Sequence, residues 1–246
     1  SKKSILNSNF TYLAAFVLPV IMMMALYYTR GIFPWGNECY LRSDMYHQYA
    51  PFFSELWHKI RNGESLTYSW DIGMGTNFTS LFAYYLASPS NWFVALFPQK
   101  YTIEIMNAFI ILKIAGSSLS LTYYLTKHNN NKHVIAAIFG MFYGMSGFIA
   151  AYSWNIMWLD CVILVPLIML GLERLVNENR CIFYCITLGL CIFTNYYIAI
   201  MVCLSVVIYY VVLMIAYNGI KSPMQYVKKF INFCVYSLLA GGLGAC

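Results

Sequence analysis

Asp44 is the residue of this sequence best placed to do chemistry. It follows Ser43, a residue type that caps helices, so we expect its carboxylate to lie in the first turn of a helix. A carboxylate there is stabilised by the helix dipole and stays ionised, as a general base or a metal ligand must be. His47 lies one turn further on the same face, which is compatible with a metal or phosphate site, although two ligands do not define one. The alternative is an ordinary aspartate at the start of a helix.

Two charged residues fall inside otherwise apolar segments. Asp160 lies near one end of a predicted span, and Lys113 lies near the middle of another. A charged side chain at the centre of a bilayer costs about 2.5–3.5 kcal/mol, so such residues normally face a cavity or a partner of opposite charge. Lys113 could therefore pair with Asp160 or bind an anionic lipid phosphate. In the alternative interpretation, both side chains extend to the membrane surface and have no function.

Aromatic residues form a third group of candidates. The tripeptide Tyr-Ser-Trp occurs twice, at 68–70 and 152–154, and Trp158 follows the second copy closely. Aromatic rings can stack on the apolar faces of sugars, and the candidate binding residues are Tyr68, Trp70, Tyr152, Trp154 and Trp158. The same residue types are also enriched at the membrane surface, so an aromatic belt without a binding function is the alternative.

The composition identifies the environment in which these residues act. Of 246 residues, 61% are hydrophobic and only 10% are charged, whereas soluble domains carry about 25% charged residues. The sequence is therefore that of an integral membrane protein, which excludes disordered, collagen-like and nucleic-acid-binding classes despite a net charge of +6. The eight cysteines do not have metal-binding spacing, and the sequence contains no phosphate-loop, GxSxG, HExxH or dinucleotide motif.

Apolar segments long enough to cross a bilayer, about 17–25 residues each, predict an all-α polytopic protein. We assign seven spans, at 10–28, 101–126, 133–152, 156–173, 181–196, 198–217 and 230–246. The fifth is the shortest, and the seventh reaches Cys246 without a flanking charge. We therefore interpret residues 1–246 as a single transmembrane module from a longer chain.

The basic residues predict the orientation of these spans. With the N-terminus in the cytoplasm, the cytoplasmic segments 1–9, 127–132, 174–180 and 218–229 hold nine of the fifteen Lys and Arg residues. Cytoplasmic loops are enriched in Lys and Arg, and the two short turns on the other side hold none. The sequence therefore predicts a cytoplasmic N-terminus and a multi-pass protein of the cell membrane, with residues 29–100 on the outer side.

Residues 29–100 form the large first extracytoplasmic loop and hold five of the nine acidic residues. The many Tyr and Trp residues of this loop favour the membrane surface. Apolar residues over 45–60 recur at helical spacing, which predicts an interfacial helix that ends at Gly63. A second interfacial helix is expected over 91–96. The two glycines within 70–77 predict a tight turn between the two helices.

Several of these segments in combination resemble the YfhO family of bacterial membrane proteins. The resemblance lies in 43–52 (SDMYHQYAPF), 68–70 (YSW), 73–75 (GMG), 84–91 (YYLASPSN), 154–160 (WNIMWLD) and 194–197 (TNYY). It extends over essentially the whole chain. Members of this family are longer and carry further spans, which agrees with the interpretation of residues 1–246 as part of a longer protein.

The family is in turn similar to the GT-C glycosyltransferases, which transfer a sugar from a polyprenyl-phosphate donor on the non-cytoplasmic face. These enzymes share a seven-span module whose first outer loop carries an acidic catalytic residue. By this resemblance Asp44 is the catalytic base or a carboxylate close to a metal ion. The resemblance implies transfer of a hexosyl or N-acetylhexosaminyl group to a cell-surface polymer such as lipoteichoic acid. Many GT-C loops carry a paired acidic motif, whereas Asp44 is flanked by Ser43 and Met45. This departure leaves open whether a divalent cation, Mg²⁺ or Mn²⁺, takes part.

In the implied mechanism, the lipid tail of the donor lies in a groove between spans, with its phosphate near Arg42, Lys59 or Lys113. The residues assigned to substrate binding are Arg42, His47, Lys59, Trp70, Asp71, Lys113, Trp154, Asn155, Trp158, Asp160 and Asn195. Two other classes stay open. A transporter or flippase of lipid-linked sugars would use the same groove but needs polar residues in both leaflets. A non-catalytic membrane assembly partner would not need Asp44.

Overall fold

The computed structural model describes residues 2–130, 134–216 and 222–245, with side chains from residue 9 onward. Within these ranges the protein is almost entirely helical. Its ten α-helices are α1 (Lys2–Thr29), α2 (Ala50–Asn62), α3 (Phe78–Leu81), α4 (Thr102–His128), α5 (Val134–Gly144), α6 (Gly147–Tyr152), α7 (Leu159–Glu178), α8 (Ile182–Thr194), α9 (Tyr196–Ala216) and α10 (Pro223–Gly244). Two short strands, β1 (Tyr68–Ser69) and β2 (Thr76–Asn77), pair in antiparallel register. The predicted all-α class is confirmed.

Five helical segments of the described chain are long and apolar enough to cross a membrane. They are Asn9–Thr29, Gln99–His128, Val134–Tyr152, Ile156–Glu178 and Tyr196–Ala216. Each coincides with a span that the sequence predicted. The polytopic class is therefore confirmed, and so are five of the seven predicted spans.

The other two predicted spans differ from the structure. In place of 181–196 there is α8, whose 13 residues extend about 20 Å, less than the thickness of the hydrocarbon core. In place of 230–246 there is α10, which begins earlier and carries Lys228 and Lys229 in its first half. Neither helix is among the segments long and apolar enough to cross a membrane. The predicted span ends at 133, 217 and 246 lie outside the described residues.

α4 lies at the centre of the fold. It packs against α1, α5 and α7, and most of its span is buried inside the protein. α5 approaches α4 at Gly140 and Gly144, where a Cβ atom would lie 2.1 Å from Thr122 Oγ1 and 2.8 Å from the Ile114 carbonyl oxygen, respectively. Glycine at both positions therefore permits the close approach of backbones by which membrane helices associate.

α7 connects this group of helices to the C-terminal part of the chain. It packs against α4, and it also contacts α8 and α9, while α10 packs on α8. The apolar residues form two clusters, one around α4 and the loop that precedes it, and one around α7 to α10. Because the start of α7 contributes to both clusters, this helix fixes the two groups relative to each other.

The loop between α1 and α4 packs over the end of the bundle at which α4 begins. A π-helical turn, Met45–Tyr49, runs directly into α2, which ends at Gly63 in the left-handed conformation with φ 67°. The predicted helix and its end are thereby confirmed. The predicted cap is wrong: Ser43 has φ 46°, and Asp44 precedes the first turn without a side-chain cap.

The rest of the loop follows the predicted order of turn and helix. β1 and β2 form a hairpin whose turn contains Gly75, with φ 111°; a Cβ atom there would lie 2.2 Å from Tyr68 Oη. The second helix is a 3₁₀ helix, Pro89–Leu96, which begins earlier than predicted because proline is pre-organised for the first helical turn. Both predicted elements are confirmed.

We expect Gly140→Ala to destabilise the protein, because its Cβ would lie 2.4 Å from the carbonyl oxygen of Ser118. Overpacking of this kind costs roughly 1–3 kcal/mol. Gly147→Ala is the matched control, since no atom lies within 4 Å of its Cβ position. Thermal unfolding in detergent micelles should give a lower midpoint for Gly140→Ala than for the control. Equal midpoints would contradict the close packing of α5 on α4.

Candidate functional site

Asp44 begins the π-helical turn of the loop and is half-buried. Within the part of the chain that the structure describes, its carboxylate accepts no hydrogen bond and forms no ion pair. An ionised carboxylate has two acceptor oxygens. Both are therefore available to a ligand, either as hydrogen-bond acceptors or as a base.

Tyr49 connects the surroundings of Asp44 to the turn that precedes α7. Its phenol donates a hydrogen bond to Asn155 Oδ1 at 3.0 Å, and its ring stacks on that of Trp154 with centroids 6.2 Å apart. Burial raises the pKa of the Tyr49 phenol above its usual value, and the negative charge of Asp44 raises it further. The phenol therefore stays protonated at neutral pH and remains a hydrogen-bond donor.

Seven aromatic residues form a continuous series of ring contacts beside Asp44. We call them the aromatic circuit: Tyr49, Tyr85, Tyr84, Tyr197, Trp158, Tyr152 and Trp154. In that order, the ring centroids are 5.5, 4.6, 6.4, 6.1 and 6.0 Å apart as far as Tyr152. Ser153 joins Tyr152 to Trp154 through the backbone, and Trp154 stacks on Tyr49 to close the circuit.

Aromatic faces of this circuit are available to a ligand. Tyr152 and Tyr197 are each 44% exposed, and Trp154 and Trp158 are half-buried. After burial and the neighbouring Tyr84, the charge of Asp44 also raises the pKa of Tyr85. The carboxylate therefore lies close enough to interact with two members of the circuit. Exposed rings next to a free carboxylate can hold an apolar ligand face while the carboxylate acts on a polar group.

Two buried asparagines differ in how fully they are bonded. Asn195 Nδ2 donates to the carbonyl oxygen of Tyr84 at 3.0 Å, and its Oδ1 accepts from the Ile198 N–H at 2.9 Å. Asn155 accepts from Tyr49 through Oδ1, but its Nδ2 has no partner among the described residues. Asn195 therefore positions Tyr84, whereas Asn155 keeps an unused donor.

Lys113 and Asp160 form a buried ion pair, with Nζ and Oδ2 2.6 Å apart. The pairing of these two residues, which the sequence suggested, is confirmed. The ammonium also donates to the carbonyl oxygen of Ile156 at 3.2 Å and to Ser88 Oγ at 3.3 Å. Lysine has three donor protons, and all three are used here. Lys113 therefore joins α4 to the loop and to the start of α7.

Lys59 has a comparable position within the loop. It is 3% exposed, and its Nζ donates to the carbonyl oxygen of Tyr68 at 2.9 Å and lies 3.5 Å from Glu55 Oε1. Ser69 Oγ donates to the same Glu55 oxygen at 2.6 Å. Lys59 and Glu55 therefore hold the β1–β2 hairpin on α2.

Three other predicted site residues lie apart from this group. Trp70 is 76% exposed in the hairpin turn, with the exposed Asp71 next to it. His47 is also exposed, and its ring makes an edge contact with Tyr46 at 5.3 Å. Among the described residues, none of the three is joined to Asp44 or to the aromatic circuit by a hydrogen bond, ion pair or ring contact.

Arg42, two residues before Asp44, lines two cavities that share several lining residues. The larger, of about 500 Å³, has a polar lining that includes Arg30 and Glu38. The smaller, of about 180 Å³, extends between α1, α4, α5 and α6, and its lining is mainly apolar. The Arg42 guanidinium lies 5.9 Å from the centroid of the Tyr40 ring and forms no ion pair within the described chain. Two guanidinium groups and one carboxylate, those of Arg30, Arg42 and Glu38, therefore line the larger cavity next to the mainly apolar one.

The side chains near Asp44 do not make a metal site. The described residues contain no group of three or more His, Cys, Asp and Glu side chains able to hold a metal ion. Asp44 has His47 as its neighbour one turn away, and that imidazole packs against Tyr46. Among the described residues, a resident divalent cation therefore has no donor set beside Asp44.

A second polar cluster lies at the opposite end of the bundle, where α4 ends. Glu173 is 8% exposed, and its Oε1 accepts from the Tyr124 hydroxyl at 2.7 Å, from the Tyr209 hydroxyl and from His128 Nδ1 at 2.8 Å. The sequence analysis missed this cluster. The signal was present, because Glu173 is a carboxylate in a predicted span, as Asp160 is.

The sequence analysis also did not assign four tyrosines of the aromatic circuit, namely Tyr49, Tyr84, Tyr85 and Tyr197. The available signal was the pair of tyrosine doublets, at 84–85 and 196–197, each next to an apolar segment. Doublets of this kind are common at membrane surfaces, so their type alone does not indicate a shared site.

The long apolar helices, which pack against one another as a bundle, define a polytopic α-helical membrane protein. The chain belongs to the YfhO family: the model of that family, described as bacterial membrane protein YfhO, matches residues 14–246. The resemblance seen in the sequence is thereby confirmed. No curated protein and no solved structure matched the chain.

Breaking the Lys113–Asp160 pair should destabilise the protein more than replacing it. Lys113→Met or Asp160→Leu alone leaves a buried charge without its partner, which costs about 3–5 kcal/mol. The double variant Lys113→Met with Asp160→Leu leaves no charge unpaired, so we expect it to cost less than either single variant. Unfolding free energies in micelles, compared as a double-mutant cycle, measure the coupling.

The exposed pair of Arg180 and Glu178 provides the control for this cycle. Arg180→Gln should change stability little, since surface ion pairs contribute about 0–1 kcal/mol. Strictly additive costs for Lys113 and Asp160 would show that the two charges do not stabilise each other.

Proposed function

We propose that this protein is a glycosyltransferase that moves a sugar from a polyprenyl-phosphate donor to a cell-surface polymer, such as lipoteichoic acid, on the extracytoplasmic face. The observation that carries this proposal is the carboxylate of Asp44, which is half-buried, has no hydrogen-bond or ion-pair partner among the described residues, and raises the pKa of Tyr49 and Tyr85 through its charge. The resemblance of the YfhO family to GT-C enzymes, whose first outer loop carries an acidic catalytic residue, supports it.

Arg42 is the cation best placed for the donor phosphate. Of the three cations considered for this role, Lys113 is bonded to Asp160 and Lys59 lies against Glu55. Arg42 forms no ion pair among the described residues and lines a polar cavity next to an apolar one. In the proposal, the phosphate binds at Arg42 and the lipid tail extends between α1 and α5.

The proposed reaction is a direct displacement at the anomeric carbon of the donor sugar. The acceptor hydroxyl oxygen forms a bond to that carbon, and its proton passes to the Asp44 carboxylate. The bond from the anomeric carbon to the phosphate oxygen breaks, and polyprenyl phosphate leaves with the electron pair. Arg42 stabilises the negative charge on the departing phosphate. A single displacement of this kind inverts the anomeric configuration.

The proposal includes a GT-C-like module of seven spans with a cytoplasmic N-terminus. α8 and α10 would supply the two crossings beyond the five long apolar segments. In this orientation Asp44 and the aromatic circuit face outward. Lys127 and Arg174, at the other end of the bundle, lie on the cytoplasmic side, where basic residues are enriched.

Asp44→Asn should remove most sugar transfer while leaving expression and donor binding near normal. Asparagine keeps the size and shape of the side chain but cannot take the acceptor proton, and general-base catalysis typically contributes about 10²–10⁴-fold in rate. Transfer is measured in the full-length protein, by following sugar incorporation into surface polymer. Glu178→Gln, an exposed carboxylate at the other end of the bundle, is the matched control and should retain full transfer. Transfer within a few-fold of wild type in Asp44→Asn would rule out the mechanism.

A transporter or flippase of lipid-linked sugars is the second candidate. The buried cluster at Glu173 favours it, because this cluster and the Lys113–Asp160 pair place polar groups at two depths of the bundle. A transporter would keep most of its flux in Asp44→Asn. The assay above therefore separates the two functions.

The orientation itself can be tested with two single cysteines in an otherwise cysteine-free chain. We expect Glu64→Cys, in the loop before α4, to react with an impermeant thiol reagent added outside intact cells. Asn130→Cys, after the end of α4, should react only after the membrane is permeabilised. Both positions are accessible at the protein surface. The opposite labelling pattern would reverse the predicted orientation.

A further inference from the structure

We propose that Asn155 and Trp158 are a pair of hydrogen-bond donors that bind hydroxyl oxygens of the sugar held by the aromatic circuit. The inference rests on the proposed glycosyltransferase function and names the determinant by which that site recognises its sugar. Two buried N–H groups carry it, since Asn155 Nδ2 and Trp158 Nε1 both lack an acceptor among the described residues.

The Asn155 amide is only 2% exposed. Its oxygen accepts the hydrogen bond from Tyr49 at 3.0 Å, so the orientation of the amide is fixed and Nδ2 is directed away from that oxygen. Buried polar groups in folded proteins are nearly always hydrogen-bonded, because an unpaired donor loses its interaction with water without replacement. A ligand oxygen at this position would supply the missing acceptor.

The indole of Trp158 differs from two other indoles of the protein. Trp57 Nε1 donates to the carbonyl oxygen of Phe97 at 2.6 Å, and Trp154 Nε1 donates to that of Ala151 at 3.0 Å. Trp158 Nε1 is buried without such a partner. Because a buried indole N–H usually finds an acceptor, the Nε1–H of Trp158 remains for an acceptor that a ligand would supply.

The two donors lie on one short and well-supported element. Ile156–Trp158 is a 3₁₀ turn in which the Trp158 N–H donates to the carbonyl oxygen of Asn155 at 2.9 Å. Asn155 immediately precedes this turn as its N-cap residue, so both donors belong to one continuous segment. Lys113 holds the turn through the carbonyl oxygen of Ile156. The donors are therefore pre-organised before the ligand arrives, as a specific site requires.

The chemistry of the two donors favours a sugar hydroxyl over a phosphate. Both N–H groups are uncharged, and the ammonium that supports their turn, that of Lys113, is paired with Asp160. A sugar ring offers hydroxyl oxygens at its edge and apolar C–H groups on its faces. The edge matches Asn155 and Trp158, and the faces match the rings of the aromatic circuit. The donor phosphate, in contrast, is placed at Arg42.

A binding measurement that needs no turnover tests this assignment. The full-length protein, labelled with ¹⁵N at the tryptophan indoles and held in lipid nanodiscs, is titrated with free D-glucose, D-galactose, D-mannose and N-acetyl-D-glucosamine. We expect at least one of these sugars to move the Trp158 Nε1–H signal downfield, because that proton gains an acceptor. The Trp57 signal should stay in place, since its proton is already bonded to Phe97. A Trp158 signal unmoved by all four sugars overturns the proposal.

Two variants test each donor separately, with affinity measured by tryptophan fluorescence. Trp158→Phe keeps an aromatic ring and removes the N–H, while Asn155→Asp keeps the oxygen that accepts from Tyr49 and removes Nδ2. We expect each variant to weaken binding of the responding sugar by about tenfold, the effect of losing one hydrogen bond. Trp57→Phe is the matched control and should bind as wild type. Unchanged affinity in both site variants, or equal weakening in the control, overturns the proposal.

The sugar titration and the Asp44→Asn transfer assay test the donor pair and the catalytic mechanism independently of each other. If Asp44→Asn retains transfer while a sugar still moves the Trp158 signal, the catalytic role of Asp44 is wrong and the donor pair stands. If Asp44→Asn loses transfer while no sugar moves that signal, the donor pair is wrong and the mechanism stands. In the transfer assay, loss of the N–H group of Asn155 or of Trp158 should raise KM for the polyprenyl-phosphate sugar and leave kcat nearly unchanged. Loss of the Asp44 carboxylate should instead lower kcat.

Discussion

The buried ion pair between Lys113 and Asp160 is the interaction on which the proposed site depends. Removing two charges from water is costly, and their attraction compensates only when the geometry is close and the remaining protons are bonded. Both conditions hold here, because the ammonium also donates to Ser88 and to the carbonyl oxygen of Ile156. One side chain therefore sets the position of the turn that carries Asn155. A substitution of Lys113 or Asp160 would therefore displace rings of the aromatic circuit, although neither residue is a member of it.

The loop also contains a buried pair of opposite charges, because Lys59 and Glu55 lie together and hold the hairpin on α2. Buried charges in this protein thus join separate elements of the fold. Arg42 and Asp44 differ from them, because both lack ion-pair partners among the described residues although they are only two residues apart. The charged residues that form ion pairs hold the structure together, whereas Arg42 and Asp44 are available to a substrate.

The sequence predicted features correctly where a local residue pattern determines them, or where a buried charge has few groups with which it can pair. The long apolar helices and the end of α2 at Gly63 follow from local patterns, and Lys113 had few alternatives to a buried carboxylate. The aromatic circuit could not be predicted, because its rings come together only through tertiary packing; the contact that positions Tyr84, for example, comes from Asn195, 111 residues away. The burial of Lys59 could not be predicted for the same reason, because the hairpin and the Phe78 ring lie against it only in the folded protein.

The Lys113–Asp160 pair also has a consequence for how the chain is made. The two residues are 47 positions apart, so α4 is synthesised, and its ammonium enters the translocon, well before the carboxylate of α7 exists. An unpaired lysine near the middle of a span disfavours partition into lipid. α4 on its own therefore enters lipid less readily than α4 paired with α7, because only α7 supplies the carboxylate that neutralises Lys113.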